Sequence, residues 1–457
     1  MIICRIFFKA MYNKILDNLN NCSIGYDRKK NIGINFLTRY HAINRAQHEH
    51  VCQRGRLLSG VIDKINAIYC QAISDNDREL LRLLESGMLK NKRIRQIHRD
   101  LYSAGLSKEP LPFRADSAGL LGGFVEYHLG FTGLGFLSAF RRIMEEYYGA
   151  AGFFNYRRLQ EVSAQCAQAI QDGYDQLNFF FRYSPMSREV GYYFREVFYP
   201  QAGRSLFGSA DKEAKVKLVL DSVRLFYIAI ERELPFFWNK HWQQLIFNPW
   251  HDLITKYLRG KAGIIPVPYL LHEQKICMAL LYQPRFSSLF SEAEKSIFPK
   301  TSLVARGNKI CAESGEYSLD EIINLAQNKR RFILKYAGLN LRTNWGGQRV
   351  YSLKWQTKKG AGKLISKALS DYEKLNEPWI IQEDISSRVR QEYFDISSKE
   401  AREDELYSLF QQFFVHLPKE DNTELLDISL LLRKNFLVHK QKDAVFGLVS
   451  SENAVES

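Results

Sequence analysis

From Ile43 to about Leu106, apolar residues recur at three- and four-residue spacing, as in VIDKINAIYCQAI and DRELLRLLESGMLKNKRIRQIHRDLY. That period puts them on one face of successive helices and predicts an all-α opening. Pro110 and Pro112, in GLSKEPLP, interrupt the pattern and mark a hinge. PFRADS and FVEYHL then flank the glycine-containing stretch 119–123, which predicts a β-hairpin. Helices are expected again from Phe136 to Phe181, where the aromatic stripe of Phe140, Tyr147, Tyr148, Phe153, Phe154 and Tyr156 reads as core packing. From Lys215 the runs VKLVLDS, FYIAIEREL and IIPVPYLL predict alternating strands and helices. The pattern is sharpest between Arg331 and Asp384. RFILKY reads as a buried strand, Val350 to Leu353 as a second apolar piece, KKGAGKLISKALSDYEKL as a helix and WIIQEDI as another buried strand. The closing SSENAVES is polar and expected to be disordered.

A chain of 457 residues with 46% hydrophobic content can bury the cores of two or three domains. No run approaches the roughly 18 apolar residues of a membrane helix, so no membrane is expected as a partner. The opening MIICRIFFKAMYNKI is broken by Arg5, Lys9 and Lys14 and lacks a small-residue cleavage site, making it a poor signal peptide; Met11 is an alternative start. Cys4, Cys22, Cys52, Cys70, Cys166, Cys277 and Cys311 are scattered with no Cys-x-x-Cys pair, which suits reduced thiols in a cytoplasmic protein. The net charge of +14 points to anionic partners, either phosphorylated or carboxylated small molecules steered by the surface or a nucleic acid. The densest basic segments, Lys90 to Arg99 and Asn328 to Arg331, carry no aromatic RNA-binding signature and read as solvated faces, which argues against nucleic acid. His241 and His251 are spaced too loosely for a helical metal pair and read as structural. No nucleophile elbow, zinc signature or GxxxxGK[ST] loop is present.

Two segments carry candidate chemistry. In the first, Lys335 ends an apolar strand, and Gly346 and Gly347 follow, with Gln348 and Arg349 after them. Glycines let backbone N–H groups approach phosphate oxygens closely; a glycine pair also suits an ordinary tight turn. In the second, Arg114 and Asp116 lie two apart on an extended segment, as do Glu126 and His128 on the next, so all four side chains share one face of the hairpin. The bland alternative is a surface turn with a solvated ion pair worth at most about 1 kcal/mol.

Strand-lysine, glycine loop, strand, helix and strand-Gln-Glu, in that order, resemble the nucleotide-binding half of an ATP-grasp enzyme. The resemblance implies that Lys335 contacts the phosphates and adenine region, that the loop at Gly346, Gly347 and Gln348 covers the phosphates, and that Gln382 and Glu383 lie along the adenine hinge. In the usual chain order the magnesium carboxylates follow the hinge strand, where DISLLLRKNFLVHK offers Asp427 and Arg433 but no Glu-x-Asn pair. The early hairpin instead resembles the Arg-x-Asp, turn, Glu-x-Asn signature of the circularly permuted ATP-grasp proteins, which include glutathionylspermidine synthase. By that likeness Asp116 and Glu126 hold Mg2+ and Arg114 stabilises the transferred phosphoryl group. His128 stands where the signature has Asn, and an imidazole suits transition metals better than magnesium. It then hydrogen-bonds a metal-bound water, contacts substrate, or marks a site that has lost catalysis. HEQKICMALL and Phe298 to Thr301 resemble the segments that supply a second ATP-contacting lysine, here Lys275, and the entrance to the nucleotide lobe; a solvated lysine on an amphipathic helix is the alternative.

The resemblance implies a mixed α/β (α+β) fold with ATP-grasp lobes in permuted order. The expected divisions are a helical region over 1–110, the hairpin and helices over 111–210, a small α/β pre-ATP-grasp-like domain over 211–300, the nucleotide lobe over 301–449 and a tail over 450–457. The implied function is ATP-dependent ligation of an unidentified small-molecule or peptide carboxylate to an amine or thiol through an acyl phosphate, with ATP and Mg2+. A nucleotide-sensing or interaction module of the same fold is the alternative, and a basic nucleic-acid-associated protein a further one.

Overall fold

The computed structural model of the chain describes residues 35–103, 110–130, 134–149, 269–339, 349–395, 400–435 and 444–451, with short pieces elsewhere. Two three-residue strands, β1 (Asn35–Leu37) and β2 (His41–Ile43), precede α1 (Arg45–Ser74). The Asn44 side chain accepts from the Gln47 N–H while the Gln47 side chain returns to the Asn44 N–H, a reciprocal cap that starts α1. Its buried positions Val51, Leu58, Ile62, Ile65, Tyr69 and Ala72 form the single apolar face that the periodicity predicts. α2 (Arg78–Leu84) and α3 (Lys92–Ser103) complete the helical opening.

The expected hairpin follows as β3 (Leu111–Ser117) and β4 (Phe124–Leu129), then α4 (Leu134–Tyr148). The helices expected as far as Phe181 do not extend that far: Leu177–Phe180 is a strand, β5, in parallel with β6 (Val216–Val219), which pairs with β7 (Ile264–Ile265). LNFF is rich in residues that pack well on a pleated surface, and a parallel partner about 40 residues away is invisible to local periodicity. The runs FYIAIEREL and HWQQLIFNPWHDL lie outside the described residues.

Two short helices, α5 (Ile276–Leu280) and α6 (Glu292–Ser296), lead to β8 (Thr301–Leu303), the small hairpin of β9 (Ile310–Ala312) and β10 (Gly315–Tyr317), and α7 (Leu319–Asn324). The stretch sharpest in sequence becomes β11 (Phe332–Tyr336), β12 (Val350–Ser352), α8 (Lys358–Leu375) and β13 (Trp379–Glu383). β14 (Arg388–Asp395), β15 (Glu400–Leu417), β16 (Asn422–Arg433) and β17 (Val445–Ser451) end the described chain. Ser450 and Ser451, placed by their polarity in the tail, close β17 instead, because Ser450 and Ser451 pair with Ala42 and Ile43 of β2.

The fold is mixed α+β, and its sheets place the candidate chemistry. A large sheet runs β14-β1-β17-β16-β15-β3-β4 with β2 beside β17, and a four-stranded antiparallel sheet runs β12-β11-β13-β8. The stretch 301–449 therefore serves two sheets: its first part builds the smaller one, and Arg388 onward returns to the larger beside the β3–β4 hairpin. One face of the small sheet, with Leu334, Tyr336, Trp379 and Ile381, packs on Ala361, Ile365 and Ala368 of α8. Leu303 and Ile380 join α5, α1 and the hairpin in the larger core. α1 crosses the large sheet closely at Gly55, where an added Cβ would lie 2.3 Å from the Phe414 ring.

Two buried histidines mark where the helical opening meets α5. His272 lies between the Tyr127 hydroxyl, 2.9 Å from Nδ1, and Asn66 Oδ1, 2.7 Å from Nε2. That pairing suits a neutral ring accepting at Nδ1 and donating at Nε2. Burial lowers His272 and His98 from 6.5 to about 3. Unfolding lets both rings take a proton near pH 6.5, whereas the folded rings resist it until about 3. The unfolded state thus binds more protons across that window, and the stability these rings contribute is present above it and lost as pH falls through it. Urea midpoints measured from pH 7 to pH 4 are expected to fall, and His272→Gln to flatten the slope; an unaltered slope would rule out this ring's part.

Candidate functional site

The β3–β4 register sets Arg114 directly opposite His128 and Asp116 directly opposite Glu126. Directly opposed residues share one face of a sheet, so the four polar side chains form the cluster that their two-residue spacing predicts. Arg114 donates to Asp116 through Nε at 2.8 Å and Nη2 at 3.1 Å, a two-pronged pair in which the Asp116 side chain is only 2% exposed. Such a pair fixes the carboxylate's orientation. Asp116, Glu126 and His128 each present a ligand atom within 4.8 Å of the others. The side chains of Glu126 and His128 remain 29% and 22% exposed, so this face of the cluster is reachable from solvent.

The small sheet meets the hairpin through Lys335. On β11 this side chain lies on the same face as Ile333, which pairs with Gln382 of β13. The Lys335 amine donates to Gln382 Oε1 and, at 3.3 Å, to the carbonyl of Val125, the residue before Glu126. Gln382 Nε2 in turn donates to Thr301 Oγ1 at 3.0 Å. Lys275, at the N-terminus of α5, sets its amine 3.0 Å from Glu126 Oε2. The early hairpin, the middle lysine and the late strand thus converge, although Glu126 and Lys335 are far apart in the chain. Glu383 points away from this group, its carboxylate accepting the Glu313 N–H at 3.3 Å. Gly346, Gly347 and Gln348 lie outside the described residues.

The electrostatics follow from this crowding. Burial works against ionisation of Glu126, yet Lys275, the His128 contact and Lys335 hold its carboxyl well below the usual range. Burial also opposes a charged His128, but Glu273 and Glu126 outweigh it and raise the ring to about 9. Burial pushes Lys335 down to about 8, partly offset by Glu126. A cavity of about 10 Å³ opens among Glu126, Tyr127, His128, Glu273, Lys275 and Met278, room for one water-sized occupant. A larger one of about 400 Å³, lined by His48, Cys52, Phe153, Arg157 and Glu424 among others, shares no residue with the cluster.

Magnesium demands near-ideal octahedral oxygen coordination. Two carboxylate oxygens and an imidazole nitrogen do not match that preference, so His128 makes this donor set a poor fit for Mg2+. Glu273 joins this group without belonging to any motif in the sequence. It is a carboxylate whose side chain is only 3% exposed, with Oε2 3.3 Å from His128 Nδ1. Its one sequence signal is a carboxylate in the short polar cluster HEQK between the apolar pair and the apolar run of LLHEQKICMALL, two positions before Lys275.

The mixed α+β architecture has a counterpart among solved structures. Among solved structures, a glutathione synthetase-like effector from Globodera pallida in its apo form superimposes with a TM-score of 0.53 at 10% identity, covering 98% of this chain and 97% of that one. No protein-family model and no curated protein matches the chain. Among the described residues no helix is long and apolar enough to cross a membrane.

Proposed function

We propose that this chain is an ATP-dependent ligase of the ATP-grasp type, with its acidic hairpin ahead of its nucleotide lobe in sequence, that activates a carboxylate as an acyl phosphate for attack by an amine or thiol. The observation that carries the reading is the meeting of Lys335 and Lys275 with the hairpin at Val125 and Glu126. Transfer of a phosphoryl group needs its charge offset by fixed cations and the reactive acyl phosphate kept from water. Lys275, Lys335 and Arg114 are the cations this arrangement offers. In the present conformation Lys275 is held by Glu126 and Lys335 by Gln382, so phosphate binding exchanges those partners for phosphate oxygens. Gly346, Gly347 and Gln348 would cover the phosphates, and Gln382 and Glu383 would lie beside the base. Calorimetry with a nonhydrolysable ATP analogue tests the pocket. Lys275→Ala is expected to weaken the analogue about tenfold, the scale of one hydrogen bond to a charged group, and to leave adenosine unaffected. Equal loss for both ligands, or no binding by the unsubstituted chain, would sink the proposal. ATP binding without ADP formation across a panel of carboxylates and amines would favour the nucleotide-sensing module, the reading that His128 motivates.

A further inference from the structure

The misfit between this cluster and magnesium has its own structure. His128 turns Nε2 toward Glu126 Oε1, 3.5 Å away, and Nδ1 toward Glu273 Oε2, 3.3 Å away. Glu273 comes from outside the hairpin, on the turn before α5, and is buried to 5% exposure. A histidine that binds a metal commonly donates its second ring N–H to a carboxylate, which fixes the tautomer and the ring plane. Here that second carboxylate is in place, and the nitrogen left over faces the same space as Glu126 and Asp116. Asp116 keeps coordinating capacity despite Arg114, because a carboxylate has about four lone-pair sites and Arg114 uses two of them.

We infer that Asp116, Glu126 and His128, with Glu273 orienting the imidazole, bind a divalent transition-metal cation in preference to Mg2+. This inference deepens the ligase proposal by naming the cation of the same site. Metal–ligand bonds of about 2.1 Å put neighbouring donor atoms about 3.0–3.4 Å apart, so atoms that lie within 4.8 Å of one another draw together by up to about 1–2 Å on binding, a movement within reach of side-chain rotation. The cavity of about 10 Å³ lies beside the trio, lined by Glu126, His128, Glu273 and Lys275 and not by Asp116, and has room for one water-sized molecule next to the cation. A cation there repels the Lys275 amine from Glu126, which frees that amine for phosphate and links cation binding to nucleotide binding.

The test uses the full chain, stripped of metal, without nucleotide, titrated with CoCl2 and followed by visible absorption and calorimetry. One equivalent of Co2+ is expected to bind with bands diagnostic of a nitrogen-containing site, and about a hundredfold excess of MgCl2 to leave them in place, because imidazole favours the transition metal. His128→Asn is expected to lower Co2+ affinity by at least tenfold and to let Mg2+ compete; Glu273→Gln is expected to lower it about tenfold while leaving the ligand trio intact. Circular dichroism of both variants checks that they fold, and Glu273→Gln carries the test if His128→Asn does not. No Co2+ binding by the unsubstituted chain, ready displacement by Mg2+, or unchanged Co2+ affinity in a folded variant overturns the inference. ATP-analogue binding is measured separately on the same preparation, so loss of the nucleotide pocket and loss of the cation site give different results.

Discussion

Replacing Lys335 by alanine is expected to cost about a hundredfold in affinity for an ATP analogue, the largest binding effect of any single change in the proposed nucleotide site. Lys335 as a whole residue is 5% exposed, and a charge-assisted hydrogen bond from a desolvated amine to a phosphate is worth up to about 3 kcal/mol, or about two powers of ten. Burial lowers the amine to about 8, so it still carries its charge in the majority of molecules at neutral pH. The change also removes the donor to Gln382 Oε1 and the Val125 carbonyl, which adds a stability loss of about 1–3 kcal/mol. Lys335→Met keeps the aliphatic stem and separates the effects, since it preserves most of the packing but none of the charge. Calorimetry well below each variant's melting temperature reads the binding. An unchanged dissociation constant in folded Lys335→Met would remove the β11 lysine from the proposed nucleotide site.

The largest stability effect is expected from Asp427→Ala. Asp427 is the carboxylate that the segment after Asp384 offers as an alternative metal ligand, but it is committed elsewhere. Arg141 of α4 donates to it through Nε at 2.6 Å and Nη2 at 2.5 Å, and to the carbonyls of Phe154 and Val449 at 2.9 and 3.1 Å. Both residues are fully buried. Burial alone would raise the Asp427 carboxyl and does so on balance, while Arg141 and the Ile428 N–H favour the charged form. Removing one partner leaves a guanidinium without its counter-charge in the interior, a cost of about 3–5 kcal/mol. Urea unfolding should show that loss as a lower midpoint with an unaltered slope. Arg141→Met combined with Asp427→Leu is expected to recover most of it, because the pair's worth lies chiefly in not being broken. A loss below about 1 kcal/mol in the single variant would mean that water reaches the guanidinium.

What could be read along the chain divides by range. β11, α8 and β13 emerge at or near their expected limits because a buried strand, an amphipathic helix and a second buried strand each carry their own period. The hairpin is equally local: Arg114, Asp116, Glu126 and His128 share a face because residues two apart on a strand must do so, and glycines at 119, 122 and 123 let the chain turn between them. β1 and β2 carry no legible signal, since three residues hold no measurable period and their partners, β14 and β17, lie more than 300 positions away. The long β15–β16 hairpin begins among charged residues, EAREDE, whose exposed outer face hides the strand pattern until Phe410.

The amino-acid order by itself determined which side chains carry charge or can ligate a cation, and on which face of their own strand or helix they sit, because backbone geometry sets those periods within a few residues. Only the tertiary structure decided that the Lys335 amine reaches the strand bearing Glu126, that Lys275 takes the Glu126 carboxylate, that Glu273 holds the His128 ring, and that Asp427 serves Arg141 rather than a metal. Those pairings join segments up to almost 290 residues apart. They exist because apolar faces of separate sheets and helices must be buried together, and that packing brings their few polar side chains into contact where water is scarce.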